Sequence, residues 1–567
     1  MKFRTALLGA ACTFALAPAA FAERGTDGEV KLTFPQAVSI MNPYLSSGTK
    51  DIYAASMVLE PLAGFDDTGM LIAKLVTEIP SVENGGISAD LTSITWKLIP
   101  GLKWSDGSPV TADDAVFTAA YCMDPAGGCA SLSKYDGVAK VEAVDPTTIK
   151  VTFSAPKPNP FTAFVGAQAP LIQKAQFEKC IGAAAPTCTD QNNMPLGTGP
   201  FMVTGFTVND TVSMAMNPNY RDPAKPAFAT AMIKGGGDAE SSARAVMETG
   251  EYDYAWNTQI PPESQASMTA AGKGEFVVAF GTLVERLEMN MTDPSADLPE
   301  GERSTSKHPH PILSDIKVRT ALSMAIDRQI LVDVGYGAGG APTCNIVPAP
   351  AMYVSDNTGC LKQDIEGAKA LLDAAGWKVG ADGIREKDGK KLHLLYQSTV
   401  NPIRQNFQAL IKDWWSEIGV DTELKAIDPG VFFGGDAGSP DTFQKFYADV
   451  EMYANNFDGT DPETYLAQYM CIKAPSPANQ WQGENMNRYC DPAYDAMMTE
   501  LATTRDPAKR AEMAKTMNDM VTKDTMTVIP LVHRGTLSAH SNALGGVRIN
   551  AWDSEMWNIA DWFRVKS

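Results

Sequence analysis

The chain has 567 residues, a formal net charge of -20 and a sequence pI of about 4.8. A strongly acidic protein is poorly matched to nucleic acid or to anionic lipid, so we expect neither as a partner. This length suits two to four lobes of about 100–200 residues each.

The first 22 residues have the pattern of a secretory signal peptide. Lys2 and Arg4 precede an apolar run at 6–17, and an Ala-Phe-Ala sequence follows at 20–22. The run is shorter than the ~20 apolar residues of a spanning helix. We therefore expect cleavage before Glu23 and export to the periplasm.

Nine cysteines are present, and Cys12 falls inside the signal segment. Cys12 raises a lipoprotein alternative, but Leu8 lies one place too far upstream for the usual lipidation motif. The other eight cysteines fall in four near pairs: Cys122 with Cys129, Cys180 with Cys188, Cys344 with Cys360, and Cys471 with Cys490. In an oxidising compartment these pairs indicate disulfides, whereas two-residue zinc spacing is missing from the sequence.

Strand-like and helix-like periodicities alternate along the mature chain and predict a mixed α/β fold. The predicted strands are 30–34, 91–100, 147–153, 252–256, 391–397 and 420–427. The predicted helices are 111–122, 239–249, 314–332, 365–375 and 402–418. This order suits two α/β lobes that face a cleft, with the polar stretch 293–311 as a surface crossover between them.

The sequence carries no common catalytic motif: it has no Gly-x-Ser-x-Gly elbow, no Walker loop and no HExxH. Its five histidines have no metal-ligand spacing. Asp458, Asp461 and Glu463 lack the twelve-residue calcium-loop pattern, and Pro462 lies among them. We therefore predict no catalytic residue, no metal and no cofactor.

Several blocks of sequence resemble one family of transport receptors. They are WKLIPGLKWSDGSPVTADDAVF at 96–117, PLGTGPFMV at 195–203, NPNYRDPAKP at 217–226, DIKVRTALSMAIDRQILVD at 315–333, AKALLDAAGWK at 368–378 and NRYCDPAYDAMM at 487–498. In this order they resemble the oligopeptide-, dipeptide- and nickel-binding family 5 (class C) of ABC-transporter extracellular solute-binding proteins. The resemblance implies a binding protein and not an enzyme.

The resemblance implies a type II periplasmic-binding-protein-like α/β fold with two lobes, a hinge and an extra domain. The expected parts are a discontinuous first lobe at 23–62, 195–289 and 527–567, an extra domain at 63–194 and a second lobe at 290–526. Ligand would be buried when the lobes close. The closed form would then dock on membrane permease subunits as a monomer.

The resemblance also implies one ligand contact. Peptide receptors of the family have an aspartate four residues before a proline, which pairs with the α-amino group of the ligand. Asp458 stands four residues before Pro462. The family often has a tryptophan three residues ahead of this aspartate, where this chain has Asn455.

Other candidate ligand contacts come from residue type and position. Arg404, at a predicted helix start, can bind a carboxylate through two guanidinium N–H groups at once. Arg286 and Arg488 are alternatives. Trp481 and Tyr489 lie in polar, loop-rich sequence near Asp458, as do the aromatic walls of many ligand clefts.

A peptide is the leading ligand that the resemblance implies. The same fold takes nickel chelates, oligosaccharides and opines, of which nickel is disfavoured here because histidines are scarce. Two other classes are weighed against transport. A secreted hydrolase would need a nucleophile and base in the cleft, and a chaperone-like or adhesion protein would bind many unfolded chains weakly.

Overall fold

The computed structural model describes residues 23–299, 301–457 and 459–566. The predicted signal peptide at 1–22, which contains Cys12, lies outside the described residues, and so does Asp458. Along the described chain, no helix is both long and apolar enough to cross a membrane.

A seven-stranded sheet forms the centre of the first lobe. In spatial order its strands are Gly274–Ala279, Thr536–Ser541, Tyr254–Ala255, Glu29–Phe34, Thr230–Gly235, Thr211–Met216 and Phe201–Thr207. Glu29–Phe34 is parallel to both of its neighbours. Val30, Leu32 and Phe34 are fully buried, because alternate residues of this strand point into one core.

A six-stranded sheet forms the centre of the second lobe. In spatial order its strands are Gly340–Pro342, Val528–Arg534, Val284–Met289, Val450–Asn455, His393–Thr399 and Asp421–Ile427. The last three strands are parallel. Every residue of Val284–Met289 is buried, as expected for a central strand covered on both faces.

The segment 63–194 has its own sheet and core. The sheet consists of Ser93–Lys97, Thr148–Phe153 and Val138–Asp145. Helix Ala112–Met123 begins with a capping box between Thr111 and Asp114, as the sequence predicts. Two smaller sheets have two strands each, Ala63–Phe65 with Leu71–Ala73 and Leu544–Gly545 with Phe563–Arg564. A third has three strands in the order Lys378–Val379, Arg385–Lys387 and Lys390–Lys391.

Helices pack around these sheets. Besides Ala112–Met123 they include Thr49–Ala55, Lys174–Phe177, Thr189–Asn193, Ala239–Arg244, Pro262–Thr269, Ile316–Met324, Arg328–Gly335, Ile365–Ala374, Pro402–Glu417, Pro429–Phe432, Glu463–Ala467, Pro492–Leu501 and Pro507–Asp519. The single helix predicted at 314–332 is wrong, because it is two helices. Asp327 starts the second of them by accepting the N–H groups of Gln329 and Ile330, both at 3.0 Å.

The chain passes between the two large sheets at 280–283 and at Gly535. A Cβ atom on Gly281 would lie 2.3 Å from the Ala551 carbonyl oxygen, and one on Gly535 would lie 2.5 Å from Val278 Cγ1. Both crossings therefore require glycine for close approach. The polar stretch 293–311, predicted as the crossover, instead follows a strand of the second sheet, and its Ser304 is fully buried.

Four disulfides tie neighbouring segments together, and they are the four pairs predicted from the cysteine spacing. They are Cys122–Cys129, Cys180–Cys188, Cys344–Cys360 and Cys471–Cys490, with Cα–Cα distances from 4.5 to 5.8 Å. These distances lie within the normal range for disulfides.

Candidate functional site

A cavity with an empty volume of ≈ 1130 Å³ lies where the two lobes face each other. In the first lobe, the parallel strands Glu29–Phe34 and Tyr254–Ala255 lead into Gln36 and Trp256, which line the cavity. The carboxyl ends of parallel strands in an open α/β sheet are the usual place for a ligand.

In the second lobe, the carboxyl ends of parallel strands also lead to the cavity. His393–Thr399 leads into the helix that carries Arg404, and Val450–Asn455 ends in Asn455. Both side chains line the cavity, together with Phe433. Strand polarity in each sheet therefore directs loops and helix starts from both lobes toward one cavity.

Neutral polar side chains and aromatic rings form most of the cavity wall. The side-chain amides are those of Gln36, Gln168, Asn257, Gln259, Asn455, Asn456 and Gln468. The rings are those of Tyr53, Trp256, Phe433, Phe443 and Tyr453. Each amide offers both a donor and an acceptor, and rings pack on apolar groups, so the wall suits a ligand that combines the two.

Two arginines share one buried glutamate at the cavity wall. Arg404 Nε donates to Glu285 Oε1 at 2.7 Å, and Arg534 Nε lies 3.3 Å from Glu285 Oε2. Burial opposes ionisation of Glu285, but the two guanidinium groups outweigh it and lower the pKa of this carboxyl. With two positive charges against one negative charge, the cluster keeps an excess positive charge that suits a ligand carboxylate.

Glu484 joins the cavity wall to the segment 63–194. Ser133 Oγ donates to Glu484 Oε1 at 2.7 Å, and Lys473 Nζ lies 3.4 Å from Glu484 Oε2. Lys473 Nζ also lies 3.1 Å from Asp136 Oδ1. Burial raises the pKa of Glu484. The segment 63–194 is therefore bonded to the second lobe directly at the cavity.

Glu555 is a buried carboxyl group at the first-lobe side of the wall. Ser538 Oγ donates to its Oε2 at 2.6 Å, and the hydroxyl of Tyr254 donates to the same oxygen. Oε1 has no hydrogen-bond partner among the described residues. Burial raises the pKa of Glu555 to about 7, although Ser538, Tyr254, Trp256 and Arg534 favour its charged form.

Of the five predicted ligand contacts, Asn455 and Arg404 line the cavity together. Asn455 Nδ2 donates to Gln468 Oε1 at 3.4 Å, so its amide is held at the wall. Arg404 is fixed by Glu285 and by the hydroxyl of Thr399 at 2.9 Å. Asp458 lies outside the described residues.

Trp481 and Tyr489 are not among the cavity-lining residues. The ring of Trp481 packs on Tyr447 with centroids 5.9 Å apart, and that of Tyr489 packs on Tyr494 at 5.5 Å. Their polar, loop-rich sequence suggested aromatic walls of a ligand cleft, but both residues are buried, with 7% and 5% exposed.

Neither of the alternative arginines, Arg286 and Arg488, is among the cavity-lining residues. Arg286 Nε lies 2.7 Å from Glu288 Oε1, and its guanidinium lies 5.4 Å from the ring centroid of Tyr453. Arg488 Nε donates to the Ser304 carbonyl at 3.0 Å. These contacts bind strands and loops of the second lobe to each other.

Arg534, Glu484 and Glu555 were not predicted as site residues, because they lie in no recognised motif. Arg534 ends a buried strand at a crossing between the sheets. A charged residue at the end of an apolar stretch of sequence was the only local pattern that could have indicated it. Glu484 and Glu555 lie in irregular segments. No pattern of spacing marks such residues in advance.

The described residues contain no group of three or more His, Cys, Asp or Glu side chains that could hold a metal ion. Two carboxylates from the rejected calcium pattern have a protein partner instead. Arg510 Nη2 lies 2.7 Å from Asp461 Oδ2 and 2.9 Å from Glu463 Oε2.

Comparison with known sequences gives one family and a set of full-length relatives. The family model described as "Bacterial extracellular solute-binding proteins, family 5 Middle" matches residues 79–472. The glutathione-binding protein GsiB of Escherichia coli (strain K12) is 26% identical over 542 residues, which cover 94% of each chain.

Comparison with solved structures gives the fold. NikZ from Campylobacter jejuni, in complex with Ni(L-His), superposes with a TM-score of 0.78 at 21% identity over 95% of this chain and 100% of its own. The oligopeptide-binding protein AppA from Bacillus subtilis, in complex with a nonapeptide, gives 0.79 at 17% identity over 96% and 100%. The expected type II periplasmic-binding-protein-like α/β fold is confirmed.

Proposed function

The chain belongs to family 5 of the bacterial extracellular solute-binding proteins, and we propose that it binds a small peptide in the interlobe cavity and delivers it to an ABC permease. Proteins of this family bind solutes and are not enzymes. The observation that carries the peptide proposal is a cavity wall that combines neutral amides with guanidinium and carboxyl groups.

A peptide backbone matches the neutral part of this wall. Each peptide unit has one donor and one acceptor, and buried ones must be satisfied. Amides such as Gln36 and Gln259 from the first lobe, and Asn455 and Gln468 from the second, offer both. The ligands of two similar proteins, glutathione for GsiB and a nonapeptide for AppA, favour the same class.

The charged groups suit the two ends of a peptide. We assign the α-ammonium group to Asp458, three positions after Asn455 in the sequence, as the family pattern implies. We assign the carboxylate to Arg404 and Arg534, which carry one charge more than Glu285 neutralises. Charge-assisted hydrogen bonds of this kind are strong where water is excluded.

Binding is coupled to hinge closure in this proposal. The moving units are the first lobe at 23–62, 195–289 and 527–567, the extra domain at 63–194 and the second lobe at 290–526, except that strands Val284–Met289 and Val528–Arg534 move with the second-lobe sheet to which they belong. The hinge lies near their boundaries, at the glycine-containing crossings 280–283 and Gly535. A ligand that contacts both lobes favours the closed form, which the permease then recognises.

The cellular setting follows from the family and the N-terminal sequence. We propose that residues 1–22 direct export and that the mature protein acts as a periplasmic monomer, with the permease as its protein partner. No cofactor and no nucleic acid enter this proposal.

An oligosaccharide or opine is the second candidate, favoured by the aromatic side of the wall. Trp256, Phe433 and Tyr453 all line the cavity, and rings of this kind pack well on sugar faces. The transport role is the same in this alternative.

Thermal unfolding of ligand-stripped mature protein tests the proposal. The panel contains di- to hexapeptide pools, oligosaccharides and opines, with Asp458→Ala as a variant. A ligand at 100 times its Kd adds roughly 2.7 kcal/mol to stability. The proposal is supported if peptides stabilise wild type and stabilise Asp458→Ala less. Stabilisation only by sugars or opines rejects the proposal that the ligand is a peptide.

A further inference from the structure

Glu555 is a buried acid that the assignments above leave without a role. It is 1% exposed and lies in the wall of the ligand cavity. The neutral hydroxyl groups of Tyr254 and Ser538 both donate to its Oε2. Oε1 has no hydrogen-bond partner within the described part of the chain.

A buried carboxyl group in this state is costly when it is ionised. Burying a charge without an opposite charge is unfavourable, and proteins normally pair such groups. Glu285, in the same cavity region, has two guanidinium partners. Glu555 has no ion-pair partner among the described side chains. The charge of Arg534 favours the ionised form of Glu555, but Arg534 lies against Glu285, so a ligand can supply a closer positive charge.

Aromatic rings beside Glu555 also favour a positive charge. Trp256 lines the same cavity wall, and its indole N–H, a hydrogen-bond donor, favours the charged form of Glu555. The ring of Tyr53 meets that of Trp256 edge-on with centroids 5.8 Å apart. Ring faces attract cations, most strongly when water is excluded.

We propose that the Glu555 carboxylate, beside Trp256 and Tyr53, binds a cationic, hydrogen-bond-donating group of the ligand, either an ammonium or a guanidinium. This inference rests on the proposed function, because it takes the interlobe cavity as the ligand site. It narrows the ligand class to solutes with a cationic group that reaches the first lobe, separate from any group bound at Asp458.

Calorimetric titration with matched peptides tests the inference. Alanine tripeptides with one lysine at the first, second or third position are compared with norleucine counterparts, each with a free and an acetylated N-terminus. Wild type should prefer the cationic member of at least one pair. Glu555→Gln should weaken binding of that member by roughly tenfold or more and leave its neutral counterpart nearly unchanged.

Glu451→Gln is the matched control. Glu451 is equally buried and has an unpartnered Oε2, but it does not line the cavity. Its substitution should not alter the preference for cationic peptides.

The outcomes separate the inference from the proposed function. Equal binding of cationic and neutral members by wild type overturns the inference even if Glu555→Gln does not fold, and so does an equal loss for both members in that variant. If no peptide binds, agmatine is titrated instead. Binding of agmatine that depends on Glu555 keeps the inference while the peptide function fails, and absence of binding overturns both.

Discussion

Lys157 Nζ lies 2.7 Å from Glu463 Oε1, and both residues are buried. Lys157 belongs to the segment 63–194 and Glu463 to the second lobe, so the ion pair joins two units that close around the cavity in the proposed function. Glu463 has a second partner, because Arg510 Nη2 lies 2.9 Å from its Oε2.

We expect Lys157→Met to speed ligand release. The closed form loses a charge-assisted bond worth about 1.5–3 kcal/mol, whereas an open form with separated units loses nothing. This corresponds to roughly tenfold faster dissociation or more. Arg510 still neutralises Glu463, so the variant should remain folded. Stopped-flow displacement of bound peptide measures the rate.

Lys140→Met is the matched control for that experiment. Lys140 pairs with Glu142 at 2.6 Å within one strand, and both side chains are exposed. Exposed pairs contribute little. A dissociation rate that stays the same in Lys157→Met would contradict a role of the buried pair in closure.

Glu555→Gln should make the ligand-free protein more stable at high pH. The pKa of Glu555 is about 7 in the folded protein, against about 4.3 for an unfolded glutamate. At pH values between these two pKa values, the folded state binds more protons than the unfolded state. The stability of wild type therefore falls as pH rises from about 4.3 through 7. Glutamine has no such penalty, which is on the order of 3 kcal/mol above pH 7.

Denaturant unfolding of wild type and Glu555→Gln at pH 4.5 and pH 8 measures this difference. Burial of Glu555 against Tyr254, Ser538 and Trp256, with Arg534 as the nearby charge, predicts a gap at pH 8 that closes at pH 4.5. The same gap at both pH values would show that the variant acts through packing and not through ionisation.

Arg534→Met should weaken binding of peptides that have a free C-terminal carboxylate. The substitution removes the excess positive charge and leaves Glu285 paired with Arg404. We expect a loss of roughly tenfold or more for the free acid and little change for the peptide amide. Calorimetric titration with both forms measures it. Arg244→Met, on an exposed helix face, is the control. An equal loss for acid and amide would contradict the assignment.

Removal of the Cys344–Cys360 disulfide should lower the free energy of unfolding by about 3 kcal/mol. The bond closes a loop with a sequence separation of 16, and cross-linking a loop of this length restricts the unfolded chain by that amount. Denaturant unfolding of the Cys344→Ala, Cys360→Ala double variant measures the loss. Unchanged stability would contradict an entropic contribution from this bond.

Local sequence patterns predicted those helices whose bounds depend on residues close together in the sequence. Thr111 and Asp114 predicted a capped helix, which runs over Ala112–Met123. The helix predicted at 402–418 runs over Pro402–Glu417, with Asn401 as its cap. At 314–332 the apolar periodicity continues through Asp327 and hid the break there, although aspartate is a preferred N-cap residue.

The site was less predictable because its residues meet only through tertiary structure. Arg404 and Glu285 are 119 positions apart, and Tyr254 and Glu555 are 301 apart. A helix start drew attention to Arg404, but no local pattern reveals that Glu285 and Arg534 lie beside it. The residue type of Trp481 suggested a residue of the ligand cleft. Its ring instead packs on Tyr447 inside the second lobe.

Calorimetric titration of ligand-stripped mature protein with defined di- and tripeptides tests the central claim most directly. The account predicts saturable binding of one peptide per protein, with a negative heat-capacity change because apolar surface is buried between the lobes. Absence of saturable binding for every peptide, together with 1:1 binding of an oligosaccharide or opine, would contradict the claim that this cavity binds a peptide.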